Sequence, residues 1–169
     1  MYFLKHVTDI TNLVLQKLLY YAQGFSKPLL GYTLFEDECQ AWKYGPVYPE
    51  IYEKYKYSWS VQSEPDDFLA SIPEASLSAL SSVEREYLES LTRAFRWYSS
   101  PILIDFPHSE SPWKNARGSL EPSDPSTNVI SNADIETFFS VVVDRYSIKT
   151  PDDIQKYCNY RFKSVRSRK

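Results

Sequence analysis

The chain has 169 residues, of which 43% are hydrophobic and 16% are aromatic. This length fits one domain with a real core, and this composition excludes a chain that is disordered throughout. The formal charge of −3 hides an asymmetry: residues 155–169 carry six basic and no acidic side chains, while the other 154 residues hold 13 basic and 22 acidic ones. An acidic body argues against a protein that binds nucleic acid over its whole surface.

The sequence predicts neither a secretory signal nor a membrane-spanning segment. Residues 1–10 include Lys5, His6 and Asp9 and have no continuous apolar stretch, and no run in the chain approaches 18 apolar residues. Cys39 and Cys158 are the only cysteines. These features predict a protein of the reducing cytoplasm.

The first strong helix signal is a stripe of apolar residues at helical spacing. Its members are Leu15, Leu18, Leu19 and Ala22. Thr8 or Thr11 can cap the start of this helix. Gly24 is predicted to end it, because glycine adopts the left-handed conformation that closes many helices.

The next segment changes character and predicts a small β element. Aromatic and small residues are mixed from Tyr32 to Val47, which indicates a short hairpin around residues 33–47 with its turn at Gly45-Pro46. Pro49 suits the first position of a short helix. Residues 60–81, rich in Ser, Pro, Asp and Glu, predict a loop with one short helical turn.

Two more helices are predicted in the middle of the chain. Ser81 and Glu84 form a capping-box pair, and Ser99-Ser100-Pro101 should end the helix that follows them. The apolar face of that helix comprises Val83, Tyr87, Leu91, Ala94, Phe95 and Tyr98. Ser111 as cap and Pro112 as first residue begin a short helix that ends at Gly118, and residues 119–128 predict a loop.

The last part of the chain predicts two strong helices. Asn132 is the predicted cap of the first, whose face comprises Ile135, Phe138, Phe139, Val142, Val143 and Tyr146. Thr150-Pro151-Asp152-Asp153 begins the second, with an acidic first turn that suits the helix dipole. The predicted fold class is therefore mainly α with a small β element (α+β), in one domain.

No catalytic arrangement stands out, and no metal or cofactor is predicted. The four glycines form no phosphate-binding loop, and His6, Cys39, His108 and Cys158 lack the paired spacing of a zinc site. The run Glu36–Glu38 suggests a divalent-metal nuclease. Successive strand residues point to opposite faces, however, which favours a solvated hairpin tip.

Two basic features each allow two interpretations. His108 suits a general base or a partner contact, or else a local anchor packed on Trp113 or paired with Glu110. The anchor is favoured because no nucleophile lies near His108 in sequence. The basic C-terminal helix suits a nucleic-acid backbone or an acidic partner, or else a solvated helix end whose cations match the dipole.

Three stretches together carry a family resemblance. The first combines Ile10–Leu13 with Leu15–Gly24 and includes Gln16, Lys17 and Tyr20. The second spans Leu34–Glu36 and Gln40–Tyr52 and includes Trp42, Tyr44, Gly45, Pro46 and Val47. The third is His108–Arg117, followed by Ile130–Asn132 and Phe138-Phe139, and includes His108, Glu110, Pro112 and Trp113.

In order and spacing, these stretches resemble the Panacea domain of SocA-like antitoxins and phage-associated GepA-like proteins, over about residues 10–140. The resemblance implies a non-enzymatic antitoxin that binds and neutralises a toxin encoded by a neighbouring gene. It also implies a variant role, in which a relative acts as an adaptor that delivers its partner to a protease. No cofactor, nucleic acid or membrane is implied.

The resemblance also predicts a division of the chain. Residues 1–146 form the Panacea domain, and residues 147–169 form a basic helical extension packed on it or extending from it. Relatives carry a longer first helix before the Ile-Thr-Asn segment, whereas nine residues precede Ile10 here. The part after Tyr146 lies outside the shared region, which makes the basic last helix a candidate for recognition of this chain's own toxin.

The motif residues are interpreted mainly as scaffold. Trp42 and Tyr44 would pack around the turn at Gly45-Pro46, with Trp113 filling the same core from the other side. The predicted partner surface consists of exposed aromatic and basic residues, namely Tyr52, Tyr55, Tyr57, Trp59, Arg161 and Lys163. Two other classes stay open: a metal-dependent hydrolase or nuclease using Glu36, Glu38 or His108, and a nucleic-acid-binding regulator acting through the C-terminal helix.

Overall fold

Helices form most of the described chain. The computed structural model describes residues 2–57 and 78–167. Its helices are α1 (Tyr2–His6), α2 (Asn12–Leu30), α3 (Pro49–Tyr55), α4 (Ser82–Phe95), α5 (Ser100–His108), α6 (Ser111–Arg117), α7 (Asn132–Arg145) and α8 (Ile154–Arg166). Its strands are β1 (Cys39–Trp42), β2 (Gly45–Val47) and β3 (Val129–Ile130). This confirms the predicted class, mainly α with a small β element. In the described part of the chain, no helix is long and apolar enough to cross a membrane.

Helix α2 is the central element and packs against α4, α5, α7 and β2. It begins where predicted, since the side chain of Thr11 accepts a hydrogen bond from the backbone N–H of Val14 at 3.3 Å. It ends at Gly31, whose φ of +87° is left-handed. The prediction that Gly24 ends this helix is wrong, because α2 continues through Gly24 and Pro28.

Gly24 is needed for packing rather than for a turn. A Cβ atom at this position would lie 2.3 Å from Cδ2 of Phe139 on α7, far inside van der Waals contact. The Phe139 ring is itself confined, since its centroid lies 4.7 Å from that of Phe25 and 5.6 Å from that of Tyr20. The glycine therefore lets α2 and α7 approach closely through the centre of the core.

We expect Gly24→Ala to lower the free energy of unfolding by about 2 kcal/mol. Alanine gains ~1 kcal/mol of helix propensity over glycine, but the overpacked Cβ costs more because the Phe139 ring has no room to move. Urea denaturation would measure the loss. Phe139→Leu should cost less in the Gly24→Ala background than in the wild type, and an unchanged urea midpoint for Gly24→Ala would contradict this account.

A three-stranded antiparallel sheet with the order β2-β1-β3 lies against α2. The predicted hairpin is present, with Trp42 opposite Gly45 and Gln40 opposite Val47. Its turn is Lys43-Tyr44, not the predicted Gly45-Pro46, which lies in β2. Gly45 follows the tight turn directly and has a φ of +102°. Only glycine adopts this left-handed backbone conformation at little energetic cost. The short strand β3 carries too few residues for a sequence signal, and its pairing comes from tertiary structure.

The middle helices match their predicted starts better than their predicted ends. Pro49 begins α3, and Ser81 caps α4 through a capping box with Glu84. Val83 was predicted to face the core, but it is 57% exposed in the first turn of α4. The prediction around Ser99 was incomplete, since Pro101 lies at the start of another helix, α5. Nearly all of the loop predicted over residues 60–81 lies outside the described residues.

Helices α6 and α7 begin one residue earlier than predicted, and the turn before α8 begins exactly where predicted. Glu110, not Ser111, caps α6, and Ser131, not Asn132, caps α7 by accepting from the N–H of Asp134. The 119–128 loop is confirmed. Thr150 forms a capping box with Asp153 and begins the 3₁₀ turn Pro151–Asp153, which leads directly into α8. Helix α8 packs against α4 and α5.

Candidate partner-binding groove

An open groove lies beside the hairpin and brings together much of the predicted family motif. Its volume is about 490 Å³. Helix α2, the hairpin, α3 and the 119–128 loop form its walls. The lining residues are Leu13, Gln16, Lys17, Trp42, Lys43, Tyr44, Val47, Tyr52, Ser123, Pro125, Ser126 and Thr127. We call this cavity the groove.

Polar side chains of α2 fix the position of β2 at the floor of the groove. Gln16 accepts a hydrogen bond from the N–H of Tyr48 through Oε1 (2.8 Å) and donates through Nε2 to Oδ1 of Asn12 (3.1 Å). The Nζ atom of Lys17 donates to the backbone oxygen of Pro46 at 2.9 Å. These bonds supply partners to a backbone oxygen of β2 and to the backbone N–H of Tyr48, which follows the strand. The motif pair Gln16-Lys17 thus attaches the hairpin to the central helix.

Lys17 is almost completely buried, with 1% of its surface exposed. Burial lowers the pKa of its amino group to about 7, because the charged form loses its hydration. The surroundings leave little spare room, since a Cβ at Gly45 would lie 2.6 Å from Nζ of Lys17. A glycine at position 45 is therefore needed both for its left-handed backbone and for the space that this amino group occupies.

The hairpin presents two aromatic side chains in different ways. Trp42 packs edge-on against Tyr52 of α3 with ring centroids 4.8 Å apart, and its Nε1 donates to Oε1 of Gln40 at 2.8 Å. Tyr44 was predicted to pack in the scaffold, but it is 56% exposed because it lies in the turn itself. The Nζ atom of Lys43 lies 5.3 Å from the centre of the Tyr44 ring. The turn therefore offers a cation and an aromatic ring at the edge of the groove.

The third motif supports the hairpin from beneath. Trp113 is buried and donates from Nε1 to the backbone oxygen of Trp42 at 2.9 Å. The His108 ring stacks on Trp113 with centroids 4.2 Å apart, which is the packing expected of a local anchor. Burial, with the nearby charge of Lys17, lowers the pKa of His108 to about 4. Its Nε2 atom is buried without a hydrogen-bond partner among the described residues.

Glu110 lies in the interior and not in the groove. Its carboxylate accepts hydrogen bonds from the hydroxyl groups of Tyr20 (3.0 Å), Tyr21 (2.8 Å) and Tyr157. Burial raises the pKa of this carboxyl group, although the three tyrosyl donors oppose the rise. This cluster connects α2 and α8 with the start of α6, and it explains the motif positions Tyr20 and Glu110 as structural.

The predicted partner surface does not form as expected. Tyr52 lines the groove and Tyr57 is 91% exposed, but Tyr55 is only 3% exposed because α3 turns it into the core. Trp59 lies outside the described residues. The surface predicted on α3 is therefore reduced, among the described residues, to Tyr52 and Tyr57.

The basic half of the predicted surface is also divided. Arg161 is buried, and its guanidinium donates to the backbone oxygen of Phe106 and to Oγ of Ser109, so its prediction as an exposed contact is wrong. Its aliphatic stem and charge stabilise the seam between α8 and α5 instead. Lys163 is exposed on α8. Helix α8 packs on α4 and α5, whereas α3 packs on α2. The basic and the aromatic halves of the predicted partner surface therefore lie on separate elements.

The acidic run before the hairpin is engaged in local contacts. Oε1 of Glu36 accepts from the hydroxyl of Thr33 at 3.1 Å, and Oε1 of Glu38 accepts from Nε2 of Gln40 at 2.9 Å. Within residues 2–57 and 78–167, no three His, Cys, Asp or Glu side chains are grouped so that they could hold a metal ion.

Sequence reasoning missed two parts of the groove. Residues 123–127 supply the far wall, yet their small polar and proline residues indicate only a loop. The burial of Lys17 was missed as well. Its position one residue after Gln16, on the face opposite the exposed side of α2, is a weak signal that a helical projection could have revealed.

Comparisons with known proteins agree with the motifs. A family model described as "Antitoxin SocA-like, Panacea domain" matches residues 15–114. Antitoxin SocA of Caulobacter vibrioides (strain NA1000 / CB15N) is 49% identical over 43 residues, which are 25% of this chain and 23% of that protein. The chain therefore matches less than a quarter of the length of this curated relative. No solved structure matches the chain. The matched range includes both the groove-forming part of α2 and the hairpin.

Proposed function

The chain belongs to the family of SocA-like antitoxins that share the Panacea domain, and on that premise we propose that it neutralises a toxin by binding it directly. The toxin would be the product of a neighbouring gene. The groove is the observation that carries this proposal, because motif residues of α2 and the hairpin build an open cavity with mostly apolar walls. Cavities of ~300–1,000 Å³ with a few placed polar groups are typical binding sites.

The groove also has the surroundings of a protein interface. Tyr44 and Tyr52 present aromatic surface at its edge, and Lys43 adds an exposed cation. Tyrosine and tryptophan are frequent energetic anchors of protein interfaces. We propose that the toxin covers the hairpin tip and inserts into the groove, and that the antitoxin acts without catalysis.

We propose the cytoplasm as the site of this activity, since Cys39 and Cys158 are both free and buried thiols. The division of the chain at residue 146 stays a prediction. Helix α8 nevertheless contributes Tyr157 to the buried cluster around Glu110, which favours an extension packed on the domain.

Growth rescue tests the proposed function. The neighbouring gene is expressed inducibly with and without this protein, and tagged protein is purified to recover a complex. Restored growth together with co-purification in a fixed ratio would support direct neutralisation. Rescue that depends on a cellular protease and leaves no stable complex would favour the adaptor mechanism instead. A harmless neighbouring product would remove the toxin partner from the proposal.

We expect Tyr44→Ala to weaken the complex with the toxin by about 10- to 30-fold, the effect of a moderate interface hot spot of ~1.4–2 kcal/mol. The fold should not change, because the side chain is half exposed at a turn. Isothermal titration calorimetry would measure the affinity. Trp97→Ala is the matched control, since Trp97 is 76% exposed just beyond the end of α4, away from the groove. Equal losses in both variants would remove the hairpin tip from the interface.

A further inference from the structure

A second pocket lies between α7 and α8, beside the turn that joins α5 to α6. Its volume is about 200 Å³, below the ~300–1,000 Å³ typical of sites for drug-sized ligands. Apart from Ser109 and Glu110, all of its lining residues follow residue 114, where the family match ends. We call it the arginine pocket, because Arg145 and Arg161 are both in its lining. Its size suits a compact group.

The lining of the arginine pocket carries a surplus of positive charge. Its two arginines stand against one carboxyl group, that of Glu110, which already accepts hydrogen bonds from three tyrosyl hydroxyl groups. Burial raises the pKa of Glu110 and so disfavours its negative charge. Within the described part of the chain, no carboxylate oxygen lies within ion-pair distance of Arg145 or Arg161. The pocket therefore favours an anionic occupant.

The guanidinium group of Arg161 is only partly used by the protein itself. Its Nη2 atom donates to the backbone oxygen of Phe106 and to Oγ of Ser109. Its Nε atom is enclosed and has no hydrogen-bond partner among the described residues. The remaining nitrogen, Nη1, makes no hydrogen bond to a described residue and is not one of the enclosed atoms, so an occupant of the pocket can reach it. Arg145 is exposed and offers its whole guanidinium group.

Hydroxyl groups add neutral donors to the two cations. The ring centroids of Tyr146 and Tyr160 lie 5.0 Å apart, and Ser164 follows Tyr160 by one turn of α8. Burial and the neighbouring Tyr160 raise the pKa of Tyr146, although Arg145 beside it opposes the rise, so this hydroxyl stays protonated near neutral pH. Donors thus reach the pocket from two helices, with Arg145 and Tyr146 on α7 and with Tyr160, Arg161 and Ser164 on α8.

We propose that the arginine pocket binds a phosphate group, either as free phosphate or on a phosphorylated side chain. Guanidinium groups bind phosphate through charge-assisted hydrogen bonds, which are stronger than neutral ones. A phosphate group offers at least three acceptor oxygens in different directions, which suits donors from two helices, whereas a carboxylate offers two oxygens in one plane. This site is separate from the groove, and its ligand does not depend on the toxin.

Three small probes test the site on the full chain at a fixed ionic strength of ~0.1 M. Inorganic phosphate, N-acetyl phosphoserine amide and N-acetyl glutamate amide are each titrated into ¹⁵N-labelled protein. We expect both phosphate compounds to cause saturable chemical-shift changes centred on Tyr160, Arg161 and Ser164, and to bind at least about fivefold more tightly than the glutamate compound. Tighter binding of the phosphoserine compound than of inorganic phosphate would assign the ligand to a phosphorylated side chain, and the reverse order would assign free phosphate.

Arg145→Gln is the deciding variant, because it removes an exposed side chain and should leave the fold intact. It should weaken phosphate binding about five- to tenfold. Arg166→Gln is the matched control, since Arg166 is an exposed arginine of α8 outside the lining, and its loss should cost less than about twofold. Arg161→Lys should abolish the shifts at the pocket, but it also loses bonds to Phe106 and Ser109, so its urea midpoint is measured alongside.

Three results would overturn the phosphate site. Equal losses in Arg145→Gln and Arg166→Gln would show a general attraction of anions to the basic end of the chain. Binding of the glutamate compound as tight as that of the phosphate compounds would remove phosphate as the preferred ligand. Shifts that do not saturate, or that centre away from α7 and α8, would remove the pocket itself.

Discussion

Glu110→Ala is expected to destabilise the protein by about 5 kcal/mol, an amount comparable to the whole stability of many domains. Glu110 is 2% exposed, and its carboxylate accepts hydrogen bonds from three tyrosines, two on α2 and one on α8. Removing it leaves the hydroxyl groups of Tyr20, Tyr21 and Tyr157 in the core with no acceptor at this position. Each buried group left unpaired costs ~1–3 kcal/mol, and the loss of packed side-chain volume adds to this.

Urea denaturation followed by circular dichroism would measure the loss. Glu110→Gln is the conservative comparison, because it keeps one acceptor oxygen and should cost less than half as much. Glu121→Ala controls for removal of an exposed carboxylate from a loop. A free energy of unfolding for Glu110→Ala within 1 kcal/mol of the wild type would show that the cluster is not a structural centre.

Tyr157→Phe separates the hydrogen bonds from the packing. In the wild type this substitution removes one donor from the carboxylate and should cost ~1–1.5 kcal/mol. In the Glu110→Ala background the same substitution removes a hydroxyl that has lost its acceptor, so it should be neutral or stabilising. Additive effects of the two changes would contradict direct coupling through the hydrogen bond.

The starts of helices could be predicted from the sequence because their signals are local. Thr11, the Ser81–Glu84 pair and the Thr150–Asp153 pair each satisfy backbone groups within three residues of themselves. Both pairs appear in the structure where the sequence placed them, and Thr11 is one of the two caps, Thr8 or Thr11, that the sequence offered for α2. Helix ends were harder, because a glycine can serve a distant contact as well as a turn.

Gly24 illustrates that difficulty. Its neighbours in sequence suggest a helix end. A glycine is needed at this position because the ring of Phe139, on a helix far along the chain, leaves no room for a Cβ atom. Tyr55 illustrates the same difficulty for a site. Tyr52 and Tyr55 look alike in sequence, yet α3 directs one to the groove and the other to the core. The resemblance identified the residues of the groove on α2 and the hairpin, whereas the loop wall and the burial of Lys17 depended on tertiary packing.

Lys17→Met is expected to remove a pH dependence of stability that burial imposes on the wild type. The pKa of Lys17 is about 7 in the folded protein and 10.5 in an exposed lysine. Between these values the unfolded chain binds more protons, so the free energy of unfolding rises with pH through this window. The expected slope approaches ~1.4 kcal/mol per pH unit, which amounts to about 2 kcal/mol between pH 7 and 8.5.

Other titratable groups near Lys17 change the free energy of unfolding in different pH ranges or with the opposite sign. The pKa of His108 is lowered to about 4, so its contribution rises with pH below about 6.5 and is complete by pH 7. Burial raises the pKa of Cys39 to about 12 and that of Tyr48 well above its usual value, so both groups reduce stability as the pH rises above about 9. Burial also raises the pKa of Glu110, whose contribution is present at low pH and is lost as the pH rises through its folded pKa. The range from pH 7 to 8.5 is therefore the one in which the lysine is best separated from the thiol, the phenol and the imidazole.

The measurement is a series of urea denaturation curves for the wild type and Lys17→Met across this range. The difference between the two proteins should change by about 2 kcal/mol from pH 7 to 8.5, on top of a constant offset from the lost bond to Pro46. The carboxyl of Glu110 is present in both proteins, so most of its contribution cancels in the difference. Lys27→Met is the matched control for loss of a partly exposed lysine from the same helix. Parallel profiles for the wild type and Lys17→Met would mean that Lys17 stays charged in the folded protein, which would contradict the lowered pKa of its buried amino group.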